Sequence, residues 1–268
     1  MSRPIRCELS IVVCSIDAEK YARVCANYRA LFAGREIELI GIHDARSLAE
    51  GYNRGIARAS GDALILSHDD IEILSADFAS RVGAHLRDYD LIGIAGTTRL
   101  VGGRWAAAGD PYIYTLITSP DGNRTGYATM LLGGGPLVVP GIEALDGVFV
   151  AMRSEVARAV PFDAETFDGF HLYDLDWSFR AHRAGFRLAV CRDIVLIHES
   201  TGRYDAEWER YRLRFEAKHR GALHAIGAPK EGARASLSAV TREEILRRCD
   251  PARLVAIAAE IGRVNALL

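Results

Sequence analysis

The sequence has few cysteines, no excess of basic charge and no long apolar run free of helix-breaking residues. Its five cysteines are odd in number and widely spaced, and none forms a CxxC pair. That usage excludes a disulfide framework and a structural zinc site, and it fits a reducing compartment. Thirty-three basic against 35 acidic side chains give a formal net charge of -2, whereas proteins that bind nucleic acid carry a basic excess. We therefore expect no nucleic-acid partner.

Neither a targeting segment nor a membrane span is expected. The N-terminal stretch MSRPIRCELS is too polar for a signal peptide. The longest uncharged stretch, residues 125–142, contains Gly133, Pro136 and Pro140 among other breakers of a spanning helix. The remaining composition, 49% hydrophobic and 25% charged, is typical of a globular protein with a sizeable core. Together these features favour the cytoplasm.

The first hundred residues alternate short apolar runs with amphipathic stretches. This alternation predicts a parallel sheet with helices on both faces, which binds ligands outside the carboxyl ends of its strands. The predicted strands are 9–14, 37–42, 63–66 and 91–95, and the predicted helices are 18–32, 48–59 and one around 78–86.

The second half of the chain is less regular and richer in glycine. Its pattern predicts a hairpin of 112–118 with 127–132, and further strands at 148–152, 188–190 and 194–197. An aromatic and acidic loop is expected over 167–176. Helices are predicted at 177–184 and 206–219, after Thr241, and from Pro251. The last helix carries an apolar stripe formed by Leu254, Ile257, Ala258, Ile261, Val264 and Leu268. Two interpretations stay open for this stripe: packing on its own domain, or a dimer or partner contact.

Polar residues follow each of the first three predicted strands, and the densest group is His68-Asp69-Asp70. Charged and imidazole groups are costly to bury unpaired, so a divalent cation is one way to compensate them. Polar residues are also common after strands without any ligand. The cluster alone leaves both interpretations open.

Longer motifs point to a family. The segment SLAEGYNRGIARASGDALILSHDD, preceded by LSIVVCSID, resembles the donor half of an inverting GT-A glycosyltransferase of family 2 type. DGVFVAMR, YDLDWSFR and HESTG then resemble its acceptor strand, acidic base motif and C-terminal metal histidine. The resemblance runs in unbroken order over residues 9–203. It implies an α/β, Rossmann-like nucleotide-diphospho-sugar transferase fold with a mainly parallel central sheet flanked by helices. The implied domain covers 1–235, with a donor half at about 1–96, an acceptor half at about 97–235, and a C-terminal helical extension at 236–268.

The resemblance also implies a metal site. The family's D-x-D motif aligns with His68-Asp69-Asp70, and a subfamily with an H-x-D form is similar here. Asp70 and His198 would then hold a cation that bridges the two phosphates of the donor as a Lewis acid. Mixed carboxylate and imidazole ligands favour Mn²⁺ over Mg²⁺. The role of His68 stays open.

Further roles are implied residue by residue. Asp174 would be the general base, with Asp176 as its competitor and an N-cap of a helix near Trp177 as the alternative role of Asp174. Asp69 would face the ribose or the sugar, or support its loop. Donor binding is assigned to Ser15, Asp17, Asp44, Asn53, His68 and Asp69, and acceptor binding or loop support to Asp146, His171, Tyr173, Asp176 and Trp105.

The implied reaction is metal-dependent, inverting transfer from a nucleotide sugar, with UDP as the expected nucleotide, to a glycan or glycolipid hydroxyl. Bacterial surface polysaccharide synthesis in the cytoplasm, peripheral to the inner membrane, is the expected setting. The alternatives are a catalytically degenerate nucleotide-sugar or glycan-binding module and a protein-directed glycosyltransferase. A nicotinamide oxidoreductase is excluded because no GxGxxG follows the first strand.

Overall fold

The computed structural model describes residues 8–200, 202–227 and 232–265. Its strands, in chain order, are β1 (Leu9–Cys14), β2 (Ile37–Ile42), β3 (Ala63–Ser67), β4 (Ile71–Ile73), β5 (Leu91–Gly93), β6 (Ala95–Thr97), β7 (Ile113–Pro120), β8 (Tyr127–Leu132), β9 (Val138–Pro140), β10 (Ala144–Leu145), β11 (Phe149–Arg153), β12 (Leu188–Cys191), β13 (Leu196–His198) and β14 (Arg234–Ala239). Its helices are α1 (Ala18–Leu31), α2 (Leu48–Arg58), α3 (Phe78–Asp88), α4 (Ser154–Ala159), α5 (Tyr173–Arg183), α6 (Ala206–His219), α7 (Arg242–Arg248) and α8 (Pro251–Asn265). Among the helices within these ranges, none combines the length and apolar character needed to cross a bilayer.

A seven-stranded sheet in the order β2-β1-β3-β11-β5-β12-β9 forms the centre of the molecule. β2, β1 and β3 pair in parallel, as do β5 and β12, whereas β11 and β9 run against their neighbours. Five of the seven strands therefore share one direction, and the sheet is mainly parallel as predicted. Both faces are covered: Val12 on β1 packs into one apolar core, and its neighbours Ile11 and Val13 pack into the other. This alternation is what a pleated strand buried on both faces requires.

A second sheet, in the order β10-β6-β7-β13-β4, adjoins the first and extends through β8 and β14. It contains the predicted hairpin, since β7 and β8 pair antiparallel. The predicted strand at 91–95 is wrong as a single strand, because the chain leaves the central sheet after Gly93 and enters the second sheet at Ala95. Gly96 permits the close approach of β10 to β6, since a Cβ there would lie only 2.5 Å from the Ala144 carbonyl oxygen.

Side-chain caps explain why several helices begin where they do. The Asp17 carboxylate accepts from the backbone N–H groups of Glu19 and Lys20 at the start of α1, and the Ser47 hydroxyl accepts from Glu50 N at the start of α2. Each cap satisfies amide groups that the first turn leaves unpaired. Because α1 and α2 begin shortly after β1 and β2, the carboxyl ends of these strands lie near helix N-termini, at the edge of the sheet where the site lies.

Helix α5 begins four residues before the predicted start at Trp177. Leu172 precedes it with a φ of 61°, and no side chain caps its first turn. The predicted loop over 167–176 is therefore shorter than expected. Asp174 and Asp176 lie inside the first turn of the helix, where negative charge is favoured by the helix dipole, and Asp174 is not the N-cap.

The C-terminal region differs in part from the predicted helical extension at 236–268. Strand β14 pairs antiparallel with β8 across the predicted boundary at 235, and only then do α7 and α8 follow. Leu254 and Ala258 of α8 are buried in the same apolar cluster as residues of β14 and β8, which supports packing on the chain's own domain. The side chains of Ile261 and Val264, and all of Leu268, lie outside the described residues. No finding supports the alternative of a dimer contact.

Candidate active site and metal centre

Two imidazoles and one carboxylate meet at the carboxyl edge of the central sheet. The Asp70 Oδ1 atom lies 3.8 Å from His68 Nδ1 and 3.4 Å from His198 Nε2. The fold brings them together because β13 pairs with β4, which places His198 opposite Ile71. Thus Asp70 and His198, which the sequence assigns to the metal, are neighbours, and His68, assigned to the donor, joins them.

The protonation states of this cluster suit a divalent cation. Burial and the neighbouring His198 lower the pKa of His68, which favours the neutral imidazole that binds metals. Burial acts to raise the pKa of Asp70, but the hydrogen bond and charge of His198 outweigh it and hold that pKa well below its usual range. Two imidazole nitrogens and an ionised carboxylate oxygen form a donor set that fits a divalent cation.

The surroundings of the Asp174 carboxyl group alter its pKa. Its Oδ2 atom accepts a 2.7 Å hydrogen bond from the backbone N–H of Gly147. Burial, together with the nearby Asp146 carboxylate, raises the pKa of Asp174 to about 7, although backbone hydrogen bonds oppose the shift. A carboxylate that titrates near neutral pH is suited to general-base catalysis.

Gly147 is the residue that allows Asp174 to approach the sheet. A Cβ at this position would lie 2.6 Å from the Asp174 Cβ and 2.9 Å from the Tyr173 hydroxyl, distances that are too short for real side chains. The preceding residue is held on both sides, because Asp146 N donates to Ala95 O and Asp146 Oδ1 accepts from Val148 N. The turn at 146–148 thus fixes the backbone amide that orients Asp174.

Asp176 points the opposite way, into the protein. Its side chain is fully buried, with Oδ1 2.7 Å from Lys218 Nζ and 2.8 Å from His219 Nε2, and Oδ2 2.8 Å from Arg180 Nε. Burial acts to raise the pKa of Asp176, but the hydrogen bond from His219 and the charges of Arg180 and Lys218 lower it overall. This carboxylate joins α5 to α6. Asp176 does not line the cleft that Asp174 lines.

A cleft of about 230 Å³ opens in front of these groups. His68, His198 and Asp174 all line it. Its lining includes four residues that the sequence assigns to the acceptor side or its loop (Trp105, Asp146, His171 and Tyr173) and three aromatic residues that the sequence analysis did not single out (Phe170, Tyr204 and Trp208). Phe170 and Tyr204 are 53% and 62% exposed. The sequence signal that could have identified Phe170 and Tyr204 is their position next to the YDLD and HESTG motifs.

A second cavity adjoins the cleft and shares His68 and Phe170 with it. Ser15 and Asp69 lie in its wall, where the Ser15 hydroxyl donates to Asp69 Oδ2 at 2.5 Å. The rest of the wall is largely apolar and comes from Cys14, Ile16, Ile42, Ala45 and Leu48. Ser15 and Asp69, both assigned to the donor, therefore lie together next to the cluster of His68, Asp70 and His198, which we call the metal cluster.

Three other residues assigned to the donor do not line either cavity. Asn53 is used elsewhere: its amide nitrogen donates to Phe162 O and its oxygen accepts from Phe162 N, both at 2.9 Å. These two hydrogen bonds connect α2 to the segment before α5. Asp17 caps α1, and Asp44 pairs with Arg54 at 2.7 Å on the surface.

Comparison with known proteins agrees with this architecture. Among solved structures, a mannosyltransferase from Pyrobaculum calidifontis, in complex with GDP-Man and Mn²⁺, has a TM-score of 0.50 at 14% identity, covering 98% of this chain and 76% of that one. TarS residues 1–349 from S. aureus has a TM-score of 0.42 at 10% identity, covering 80% and 72%. GalNAc-T7 with UDP, GalNAc and Mn²⁺ has a TM-score of 0.41 at 9% identity, covering 74% and 45%. The fold is that of a GT-A glycosyltransferase, as the sequence predicted.

The sequence itself identifies the family. Residues 10–219 match the profile described as "Glycosyltransferase like family", so the chain belongs to that family. No curated protein matches the sequence significantly.

Proposed function

We propose that the protein is a metal-dependent inverting glycosyltransferase that moves a sugar from a nucleoside diphosphate sugar to a hydroxyl group. The observation that carries this proposal is that one cleft is lined by two residues of the metal cluster, His68 and His198, and also by Asp174. Transfer from such a donor needs positive charge at the leaving diphosphate and a base at the attacking hydroxyl. The cleft provides ligands for the first and a carboxylate for the second.

Different residues of the chain have separate roles in a one-step displacement. His68, Asp70 and His198 would hold a cation, with Mn²⁺ preferred to Mg²⁺, which would supply positive charge at the departing diphosphate. Asp174 removes the proton from the acceptor hydroxyl, which attacks the sugar from the face opposite the diphosphate. The Gly147 amide holds the Asp174 carboxylate in place, and burial keeps its pKa near the working pH.

For the donor we propose a UDP-sugar bound in the cavity that contains Ser15 and Asp69. Its apolar wall suits a flat base, and its border with the metal cluster suits a diphosphate. The support for uridine is the sequence resemblance alone, and the structural neighbour with a TM-score of 0.50 was solved with GDP-Man. The nucleotide must therefore be tested directly.

The test is thermal unfolding of the protein with UDP, GDP, CDP or dTDP, each with and without Mn²⁺. A ligand at about one hundred times its dissociation constant adds roughly 2.7 kcal/mol of stability. We expect one nucleotide to raise the melting temperature only with Mn²⁺, and Asp70→Ala to abolish the shift. If no nucleotide shifts the folded protein, the metal-dependent transferase is rejected in favour of a degenerate binding module.

For the acceptor we propose a glycan or glycolipid in preference to a protein side chain. Trp105, Phe170, Tyr204 and Trp208 place aromatic faces around the cleft, and such faces stack on the apolar faces of sugar rings. We place the reaction in bacterial surface polysaccharide synthesis, in the cytoplasm and peripheral to the inner membrane. That setting rests on the sequence resemblance alone.

Tyr204→Ala tests the acceptor assignment. Because Tyr204 is 62% exposed on the rim, the variant should fold normally. Loss of one stacking contact of about 1 kcal/mol should raise the KM for a para-nitrophenyl glycoside acceptor roughly fivefold, with an unchanged KM for the donor. Leu213→Ala, a truncation at an exposed position of α6 that does not line the cleft, is the matched control. Equal acceptor KM values in the two variants would contradict the assignment.

A further inference from the structure

Tyr173 links the metal cluster to the helix that carries the proposed base. Its hydroxyl lies 3.1 Å from His68 Nε2. The phenol ring is buried against Tyr52 and Phe162, with ring centroids 5.8 and 6.1 Å away. Because these contacts hold the ring, the Tyr173 side chain has little freedom to turn elsewhere, so its contact with His68 is a fixed feature of the site.

The contact with Tyr173 leaves the other nitrogen of His68 facing the cluster. His68 Nδ1 is 3.8 Å from Asp70 Oδ1, which is too long for a hydrogen bond. Two ligands about 2.1 Å from one ion can lie up to about 4.2 Å apart, and His198 Nε2 is also within this limit, at 3.4 Å from the same oxygen. The spacing is therefore that of groups around a cation.

We propose that Tyr173 is a positioning residue that makes His68 a third metal ligand. The Nε2–H of His68 donates to the Tyr173 oxygen, which selects the neutral tautomer whose Nδ1 lone pair points toward Asp70 and His198. Hydrogen bonds of this kind orient metal-binding histidines and increase their basicity. In the opposite tautomer the Tyr173 hydroxyl donates to Nε2 and Nδ1 carries the proton, so His68 cannot bind the ion. The inference rests on the proposed metal dependence.

The experiment measures Mn²⁺ binding by electron paramagnetic resonance, with Mn²⁺ alone and with UDP or GDP present. Tyr173→Phe removes only the hydroxyl, and we expect the Mn²⁺ dissociation constant to rise about 10- to 100-fold. Tyr52→Phe is the matched control, because this neighbouring buried tyrosine donates to Ser67 O, 3.2 Å away, and not to the metal cluster. Its dissociation constant should stay within about twofold of the parent protein.

A double-mutant cycle shows whether Tyr173 acts through His68. Tyr173→Phe should have no further effect on Mn²⁺ affinity once His68→Ala is present. Pulsed resonance should detect nitrogen coupling from both His68 and His198 in the parent protein and from His198 alone in His68→Ala. Equal affinity of Tyr173→Phe and the parent, or equal losses from it in both backgrounds, would overturn the proposal. No Mn²⁺ binding by the parent protein would instead reject the proposed metal dependence itself.

Discussion

Asp174→Asn should lower kcat/KM by about 10²- to 10⁴-fold, the range typical for loss of a general base. The amide keeps the size of the carboxylate, and its oxygen can still accept from Gly147 N–H. Binding of the nucleotide with Mn²⁺ should therefore persist, as measured by the melting shift. Asp168→Asn is the matched control, because this carboxylate is exposed, precedes the same helix and pairs with Arg214.

The pH dependence gives a second signature of Asp174. With its pKa raised to about 7, the carboxylate is the active, ionised form above that pH. The kcat/KM of the parent should therefore fall about tenfold per pH unit below 7. The small residual activity of Asp174→Asn should lack this dependence. A variant that keeps more than a tenth of the parent's activity would rule out Asp174 as the base.

The same raised pKa predicts that the site lowers stability. The folded-state pKa exceeds the ordinary value of 3.8, so the folded protein takes up a proton more readily than the unfolded chain between these values. Its free energy of unfolding should then fall as the pH rises from about 4 to about 7. Asp174→Asn escapes this loss, so at pH 8 we expect it to melt no lower than the parent.

Asp176→Asn, unlike Asp174→Asn, should lower the stability of the folded protein by a large amount. Its carboxylate is fully buried between Arg180, Lys218 and His219. Removing one partner of a buried ion pair costs about 3–5 kcal/mol, because the remaining charges stay desolvated. For a chain of this size, 3 kcal/mol corresponds to a melting temperature roughly 6–12 °C lower, measurable by calorimetry.

The comparison variant for this loss is Glu209→Gln on α6. Glu209 forms an exposed ion pair with Arg212, and such pairs contribute about 1 kcal/mol or less. Its melting temperature should change by no more than about 3 °C. The opposite result, an Asp176→Asn protein that melts like the parent but is inactive at every pH, would make Asp176 the base.

The contrast between these carboxylates shows where sequence reasoning reaches its limit. In an α-helix each residue turns about 100°, so side chains two positions apart point about 200° apart. Once Tyr173 starts a helix, Asp174 and Asp176 must face opposite sides. The predicted loop concealed this relation, because Leu172 provides no polar cap to mark the helix start. With the helix predicted to start at Trp177, both carboxylates lay in a loop and were equally good candidates for the base.

Other features were accessible from the sequence. The bounds of β1 and β2 match the prediction, since each is an apolar run of strand length, and Ser47 identified the start of α2 through its side chain. The proximity of Asp70 and His198 came from the family resemblance, because no local pattern relates residues so far apart in the chain. The pairing of Asn53 with Phe162 depends on tertiary packing, so its motif position alone suggested a donor role.

The attachment of Asp174 to the central sheet has a consequence for how such proteins diversify. The Gly147 amide that holds this carboxylate lies two residues before the start of β11, which lies between β3 and β5 in the middle of the sheet. The aromatic rim instead belongs to surface segments at 103–105, 170–171 and 202–208. Surface segments tolerate sequence change far better than central strands. If Asp174 is the base and these segments bind the acceptor, as we propose, the segments can be rebuilt for a different acceptor without moving the base, so the choice of substrate and the chemistry can evolve separately.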